Sequence, residues 1–376
     1  MRIVFWQNIL SPHQLPYIVH LNDDERVDSV VVVVGEVMNN VRINMGWEVK
    51  NFPGLDRCKV YINPTDEVIE RLLSEMSSDS WHMFSGIRAF HFVFKALKIS
   101  LKYDLKRAII VERPFTYFNG CANLKPIFLH RLRFYLLDSK YVSDISKVFA
   151  IGNDAVRYYK SLSKHWDVHH FIYCTIDAGF KHSLVKADGI RFLFVGSLSL
   201  RKMPMLILEA CARMQEEASN YKVDFVGDGE KRGAMEKFIS QSAMSNIRLL
   251  GKQSIKEIPR IMSEHDVLIL SSIYDGWGAV VNEALMQGLY IICSDKCGVK
   301  DLLVPERGMV FRSGSVADLF DKMRICISKF ENIAQTCQER RKWAMSHISG
   351  NVVSSYMVDC LMGENPEAIW RNGYLM

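Results

Sequence analysis

SSIYDGWGAVVNEALMQG, residues 271–288, is the stretch that decides the fold. The apolar run Val267–Leu270 precedes it and predicts a buried parallel strand. The chain then breaks at Asp275-Gly276-Trp277-Gly278 and opens a helix that carries Glu283. A helix start presents N–H groups without intrahelical partners and a partial positive charge, so it can hold a phosphate. Asp275 and Glu283 flank that start, and a carboxylate accepts hydrogen bonds from sugar hydroxyls. Phosphate and sugar together point to a nucleotide-sugar ligand. On its own the stretch also fits an ordinary strand-to-helix turn of an α/β protein.

Working outward, apolar and β-branched runs recur with helical segments between them. The first half offers Ile3–Trp6, Val30–Val34, Val60–Ile62, Trp81–Phe84, Ala108–Val111 and Val148–Ile151. The second offers Phe192–Val195, Val223–Val226, Ile247–Leu250, Val267–Leu270 and Tyr290–Cys293. Val30–Val34 lacks polar alternation, as a strand covered on both faces should. Alternating strands and helices predict parallel sheets with right-handed crossovers. Two such sets predict two Rossmann-like, doubly wound domains facing each other across a cleft, over residues 1–175 and 176–354. The boundary falls near Cys174–Lys186, and residues 355–376 form a further, helical segment.

The 376 residues suffice for two domains, and 49% hydrophobic with 24% charged residues describes a soluble globular protein. No run approaches 18 uncharged apolar residues, so no membrane span is expected. MRIVFWQNIL is too short and polar for a secretory signal and reads as a first strand. Nine scattered cysteines without a CxxC pair suit reduced thiols in a cytoplasm. Between Arg88 and Arg133 stand ten Lys or Arg against Asp104 and Glu112, a net of +8 in a chain of +5. Aromatics interleave there, which suits an anionic membrane surface, with Lys125, Arg131 and Arg133 beside Phe128, Leu129 and Leu132 as the candidates. No RNA-binding motif accompanies them, and a solvated face over core aromatics fits equally.

The Asp275–Glu283 spacing and the Gly276-Trp277-Gly278 turn resemble the acidic signature of retaining GT-B glycosyltransferases of family four. That pattern is an acidic residue, seven others and a glutamate. Asp275 stands where the family more often has glutamate. Upstream, VGSLSLRKMP follows the strand ending at Val195 and is similar to the family's diphosphate loop. Lys202 matches its lysine. Ser197 replaces the arginine that often follows Gly196, so Arg201 is a candidate for that charge. The turn Gly227-Asp228-Gly229 resembles a family turn at the floor of the donor cleft; its glycine spacing departs from the dinucleotide fingerprint. Lys252 and Gln253, after the next strand, are candidates for contacts to the base. His265-Asp266 reads as a capping or surface pair.

The first domain is similar only in strand order. His13, in the loop after the first strand, and His82, in a strand end, are acceptor or cleft candidates, each with a structural role as the alternative. Glu112 and Arg113 stand where many members carry a histidine. Glu112 is a candidate acceptor base, with an internal Glu112–Arg113 pairing as the alternative.

The resemblance implies transfer of a sugar from a nucleotide-diphosphate donor to a glycan acceptor, with retention. Glu283 would bind ribose, Asp275 the sugar, and the amides of Gly278, Ala279 and Val280 with Arg201 and Lys202 the diphosphate. No Asp-x-Asp triplet occurs, so no metal or other cofactor is expected. A lipid-linked glycan of surface polysaccharide assembly is one acceptor form, and a cytoplasmic place at the inner membrane face would follow. No nucleic-acid partner is expected. The resemblance also implies that residues 355–376 return to the first domain. Two rivals stand: a nucleotide-sugar 2-epimerase of the same fold, and a non-enzymatic scaffold.

Overall fold

The computed structural model describes residues 1–38, 42–43, 49, 52–76, 78–115, 127–179, 189–215 and 220–371. The chain divides into two compact units. One comprises Met1–Phe115, Leu124–Thr175 and Ile348–Ile369; the other is built on Ile176–His347. The return to the first unit therefore begins at Ile348, before the expected start of the terminal segment at residue 355.

The first unit holds β1 (Arg2–Gln7), β2 (Ser29–Val34), β3 (Lys59–Ile62), β4 (Trp81–Phe84), β5 (Lys106–Glu112), β6 (Lys147–Ile151) and β7 (Asp167–Phe171). Among the described residues they form one parallel sheet in the order β3-β2-β1-β4-β5-β6-β7. The register pairs Ile3 with Val30 and with Trp81, which stacks the apolar runs across the sheet centre. Val4, Trp6, Val33, Phe84, Ile109 and Val148 build the core of one face.

The second unit holds β8 (Ile190–Val195), β9 (Tyr221–Val226), β10 (Ile247–Gly251), β11 (Val267–Leu270), β12 (Tyr290–Ser294) and β13 (Gly308–Phe311). Their parallel order is β10-β9-β8-β11-β12-β13. Successive strands run outward from β8 in one direction and from β11 in the other. The loops after β8 and β11 therefore leave the sheet at its topological switch point, where open α/β sheets bind ligands.

Four helices matter below. They are α1 (Leu15–His20), α2 (Ile127–Arg133), α3 (Pro204–Met214) and α4 (Val280–Met286). A fifth, α5 (Gly350–Leu361), packs on α1 within the first unit. Val353 and Met357 are fully buried, and Arg26 pairs with Asp359 at 2.8 Å.

Two strands escape the sequence pattern. β7 reads DVHHF, whose alternation is broken by paired histidines; His169 is buried and lies 2.8 Å from Asp167. β13 is a four-residue edge strand, GMVF, too short to register as a run.

Candidate functional site

The site is assembled from the loops after β8, β9, β10 and β11 at the C-terminal edge of the second sheet. After β8 the chain turns at Gly196, whose N–H donates to Val226 O at 3.0 Å. Leu198 N–H donates to Asp228 O at 3.0 Å, and Gly227 N–H to Gly251 O at 2.9 Å. These bonds stitch the turns after β8, β9 and β10 together. Gly227 has φ +135°, and a Cβ there would stand 1.9 Å from Gly196 O, so the approach requires glycine.

Past Gly196 the loop runs into α3, with Met203 in the left-handed region at φ +51° and Pro204 opening the helix. This tight entry turns Arg201 and Lys202 toward the loop after β11. Ser271, the first residue of that loop and fully buried, donates its hydroxyl to Lys202 O at 2.8 Å and Met203 O at 3.1 Å. Ile273 N–H reaches Arg201 O at 2.9 Å. The two loops are thus held by their backbones, and the charges follow.

Lys202 Nζ donates to Asp275 Oδ2 at 2.5 Å, and Arg201 Nη1 lies 3.4 Å from the same oxygen and 3.1 Å from Tyr274 O. The side chains of Asp275, Lys202 and Arg201 are 17%, 13% and 32% exposed. Burial alone would raise the Asp275 carboxyl, but the charges of Lys202 and Arg201 hold it below the usual carboxylate range. Asp275 is itself fixed by its backbone: its N–H bonds Lys296 O, and its carbonyl accepts from Gly298 N–H.

From Asp275 the turn passes Gly276, Trp277, Gly278 and Ala279 into α4. Trp277 is buried and donates its indole N–H to Asn282 Oδ1 at 2.8 Å. Its ring therefore locks the helix entry, and only its backbone is left to meet a ligand. Gly278 has φ +105°, with Leu270 Cδ2 2.7 Å from where a Cβ would lie. Ala279 caps α4, and Glu283 lies in its first turn, half-buried. Burial pushes the Glu283 carboxyl up to about 7. A carboxyl so placed titrates in the physiological range, which suits a group that exchanges water for hydroxyl donors.

The remaining candidates of this unit lie nearby. Ser197 Oγ is 3.1 Å from Ser199 Oγ, and Asp228 Oδ1 accepts from Gly229 N–H at 2.8 Å. Lys252 is exposed, and Gln253 donates its amide to Leu250 O at 2.9 Å. His265 corrects the expectation of a surface or capping pair. It is buried, with Nε2 3.0 Å from Asp224 Oδ2, and Arg248 forks onto the same carboxylate.

In the first unit His82 is a second correction. It lies early in β4, away from the strand's C-terminal end, and is fully buried. Trp6 Nε1 donates to its Nδ1 at 3.1 Å, Ser80 Oγ lies 3.1 Å from its Nε2, and burial pushes the imidazole down to about 3. It is a core residue. At the end of β5, Tyr173 OH donates to Glu112 Oε1 at 2.7 Å, and Arg113, the next residue, lies 3.6 Å from Asp154. His13 sits with its ring 6.5 Å from that of Tyr173, its imidazole pushed down to about 4 by burial and then by the Arg42 charge. Lys125 lies outside the described residues.

Sequence reasoning missed Ser271, Asn282 and Tyr173. The first two lie inside the signature, and their types give no signal until the backbone shows what they hold. Tyr173 is far from Glu112 in sequence.

Residues 176–343 match the family model for glycosyl transferases group 1. This half of the chain is a group 1 glycosyltransferase domain. Its curated relatives include an uncharacterized glycosyltransferase of Methanocaldococcus jannaschii, 29% identical over 32% of this chain and 29% of that protein. An alpha-D-kanosaminyltransferase of Streptomyces kanamyceticus is 26% identical over 35% of each. The chain thus matches about a third of the length of these relatives. Solved structures extend the likeness to the whole fold. A glycosyltransferase from Rickettsia africae superposes with a TM-score of 0.70 at 11% identity, covering 96% of this chain and 98% of that one. Anabaena HepE, solved in complex with UDP and glucose, gives 0.69 at 13% identity over 96% and 100%. The fold is GT-B, with the group 1 domain as its second Rossmann-like unit.

Proposed function

We propose that the protein is a retaining glycosyltransferase that moves a sugar from a nucleotide-diphosphate donor to a glycan acceptor. The observation that carries this reading is the convergence of Lys202 and Arg201 on Asp275 at the switch point, with Glu283 in the first turn of the next helix. Two cations 2.5 and 3.4 Å from one carboxylate oxygen form a preorganised cluster that can take a diphosphate. On donor binding, Lys202 and Arg201 would exchange part of their contact with Asp275 for the diphosphate oxygens. Asp275 would then face the sugar hydroxyls and Glu283 the ribose diol. The amides of Gly278, Ala279 and Val280 open α4 toward the same anion. Lys252 and Gln253 would border the base.

As the glycosidic bond to the phosphate breaks, charge develops on the leaving diphosphate, and Lys202 and Arg201 stabilise it without a divalent metal. Retention without a protein nucleophile follows if the acceptor attacks from the face of departure and a leaving phosphate oxygen takes its proton. Glu112, held by Tyr173, with Arg113 and His13 near it, is the acceptor-side candidate of the first unit. HepE, bound to UDP and glucose, supports a UDP-sugar as the first donor to try. The lipopolysaccharide galactosyltransferase WaaB, with a TM-score of 0.68, and the amylovoran glycosyltransferase of Erwinia amylovora support an acceptor from surface polysaccharide assembly, including a lipid-linked one.

Thermal shift with UDP-, GDP-, ADP- and CMP-sugars finds the donor. Product analysis with and without a glycan acceptor then separates transfer from 2-epimerisation, which needs none. Stabilisation by no nucleotide sugar would refute the proposal and leave a scaffold.

A further inference from the structure

The +8 segment is less free than its sequence suggests. Arg107 is buried and donates to the carbonyls of Ser100, Tyr103 and Leu105. Lys95, Lys102, Lys106 and Arg113 are paired with Asp66, Glu70, Asp79 and Asp154. Arg88 is paired with Asp138. A broad basic face is therefore not what this segment offers.

One helix within it behaves differently. α2 continues without a break into a π-helical turn, Phe134–Asp138. Phe134 faces inward, 6% exposed, with its ring 5.4 Å from that of Trp166. The opposite face is also apolar. Phe128 is 66% exposed and Leu136 73%, and Leu129, Leu132, Tyr135 and Leu137 are exposed with them. Positions 128, 132 and 136 repeat at helical spacing, so they share a face. A surface helix is expected to turn polar residues outward; one that is apolar there marks a contact site. Around this face stand exposed Arg131, Arg133 and Lys140, while the acid of the segment, Asp138, is held by Arg88. Arg131 also reaches Ser161 Oγ at 2.8 Å, which brings exposed Lys160 and Lys164 to the same edge.

We infer that the outward face of residues 128–137 seats the first unit on an anionic lipid bilayer, with Phe128, Leu132 and Leu136 in the interface and Arg131, Arg133 and Lys140 against the headgroups. An apolar stripe bordered by cations is the pattern of a helix lying in the plane of a membrane surface. The footprint argues against a second copy of the chain. Twelve residues make a helix about 18 Å long and about 10 Å wide, roughly 200 Å² against the about 800 Å² per partner of a stable interface. Among the described residues no helix is long and apolar enough to cross a membrane, so this attachment is peripheral. The inference stands on surface chemistry alone and does not depend on the transfer reaction.

The test is co-flotation of the full chain with vesicles of phosphatidylcholine, with and without phosphatidylglycerol, at low and high salt. Binding is expected to the anionic vesicles and to weaken with salt, by about fivefold for each basic residue screened or removed. Phe128→Ser with Leu136→Ser should lower binding about tenfold or more, while the melting temperature and nucleotide-sugar binding stay unchanged. Arg131→Glu with Arg133→Glu should abolish the preference for anionic lipid. In Leu136→Trp, indole emission should shift to the blue on vesicles and be quenched by bromine-labelled acyl chains. Equal binding to neutral vesicles, undiminished binding of the serine variant, or an unquenched indole would overturn the inference. So would sedimentation without lipid in which the wild type associates and the serine variant is a monomer, because the face would then join two copies.

Discussion

Glu283 offers the sharpest test of the donor site. Burial has raised its carboxyl to about 7, so roughly nine-tenths is ionised at pH 8 and one-tenth at pH 6. A ribose diol donates two hydrogen bonds, and the carboxylate accepts one on each charged oxygen, whereas protonation turns one of those oxygens into a donor and removes the charge. If the ionised form alone binds, nucleotide affinity should fall about tenfold from pH 8 to pH 6, or about 1.4 kcal/mol. Binding at pH 6 should then release close to one proton. Titration calorimetry in two buffers of different ionisation heat reads both quantities. Glu283→Gln should flatten the profile and weaken binding at pH 8 by about 1.5–3 kcal/mol, the range for a lost charge-assisted bond. Stability runs the other way. The folded carboxyl holds its proton above the unfolded value of 4.5, so the folded state binds more protons in that window, and stability falls as pH rises from 4.5 through about 7. The glutamine variant should therefore gain roughly 1–3 kcal/mol in the empty protein at pH 8, a range reduced for the exposed part of the side chain. A wild type whose nucleotide affinity is flat between pH 6 and 8, or a glutamine variant with the same slope, would refute the ribose assignment.

Lys202→Ala should lower turnover about a hundredfold or more while nucleoside affinity holds, because its charge acts on the diphosphate; Arg201→Ala should follow the same direction, and a fully active arginine variant would return that side chain to solvent. Asp224→Ala removes a carboxylate shared by buried His265 and by Arg248 and should cost about 3–5 kcal/mol in urea unfolding. Against burial, its bonds to His265 and Arg248 pull that carboxyl down to about 2, so this stabilisation is present above pH 3.8 and is lost only as pH falls through about 2. Gly227→Ala places a Cβ on Gly196 O and should destabilise the second unit by about 3 kcal/mol or more, read as a lowered denaturation midpoint. Transfer in excess EDTA should proceed; loss restored by magnesium or manganese would show that Lys202 and Arg201 do not suffice.

The second unit was largely legible because most of its strands show as short, mainly apolar runs and its turns carry residues with narrow requirements. Glycine at 227 and 278, proline at 204 and an acid after β11 each have a local reason that sequence displays. The first unit resisted because its chemistry is non-local. The Tyr173–Glu112 bond joins residues from β5 and the segment after β7, and no short pattern encodes it. His82 misled for a related reason: a histidine in an apolar strand looks functional until Trp6 and Ser80 are seen to satisfy both nitrogens. Charge misled most. The ten basic residues of 88–133 outnumber the acids of their own segment, yet several of their partners, such as Asp66, Glu70 and Asp154, come from outside it.

The return of Ile348–Ile369 to the first unit sets an order of events during synthesis. Translation runs from the amino end, and domains generally fold as units while the chain emerges. Here the unit that emerges first waits for α5, which packs on α1, so it stays incomplete until residues 176–347 have left the ribosome. Residues 176–347 carry all six strands of the second unit's sheet and can close before its predecessor does. Until α5 arrives, α1 keeps an apolar flank uncovered, and a chaperone would find its substrate there.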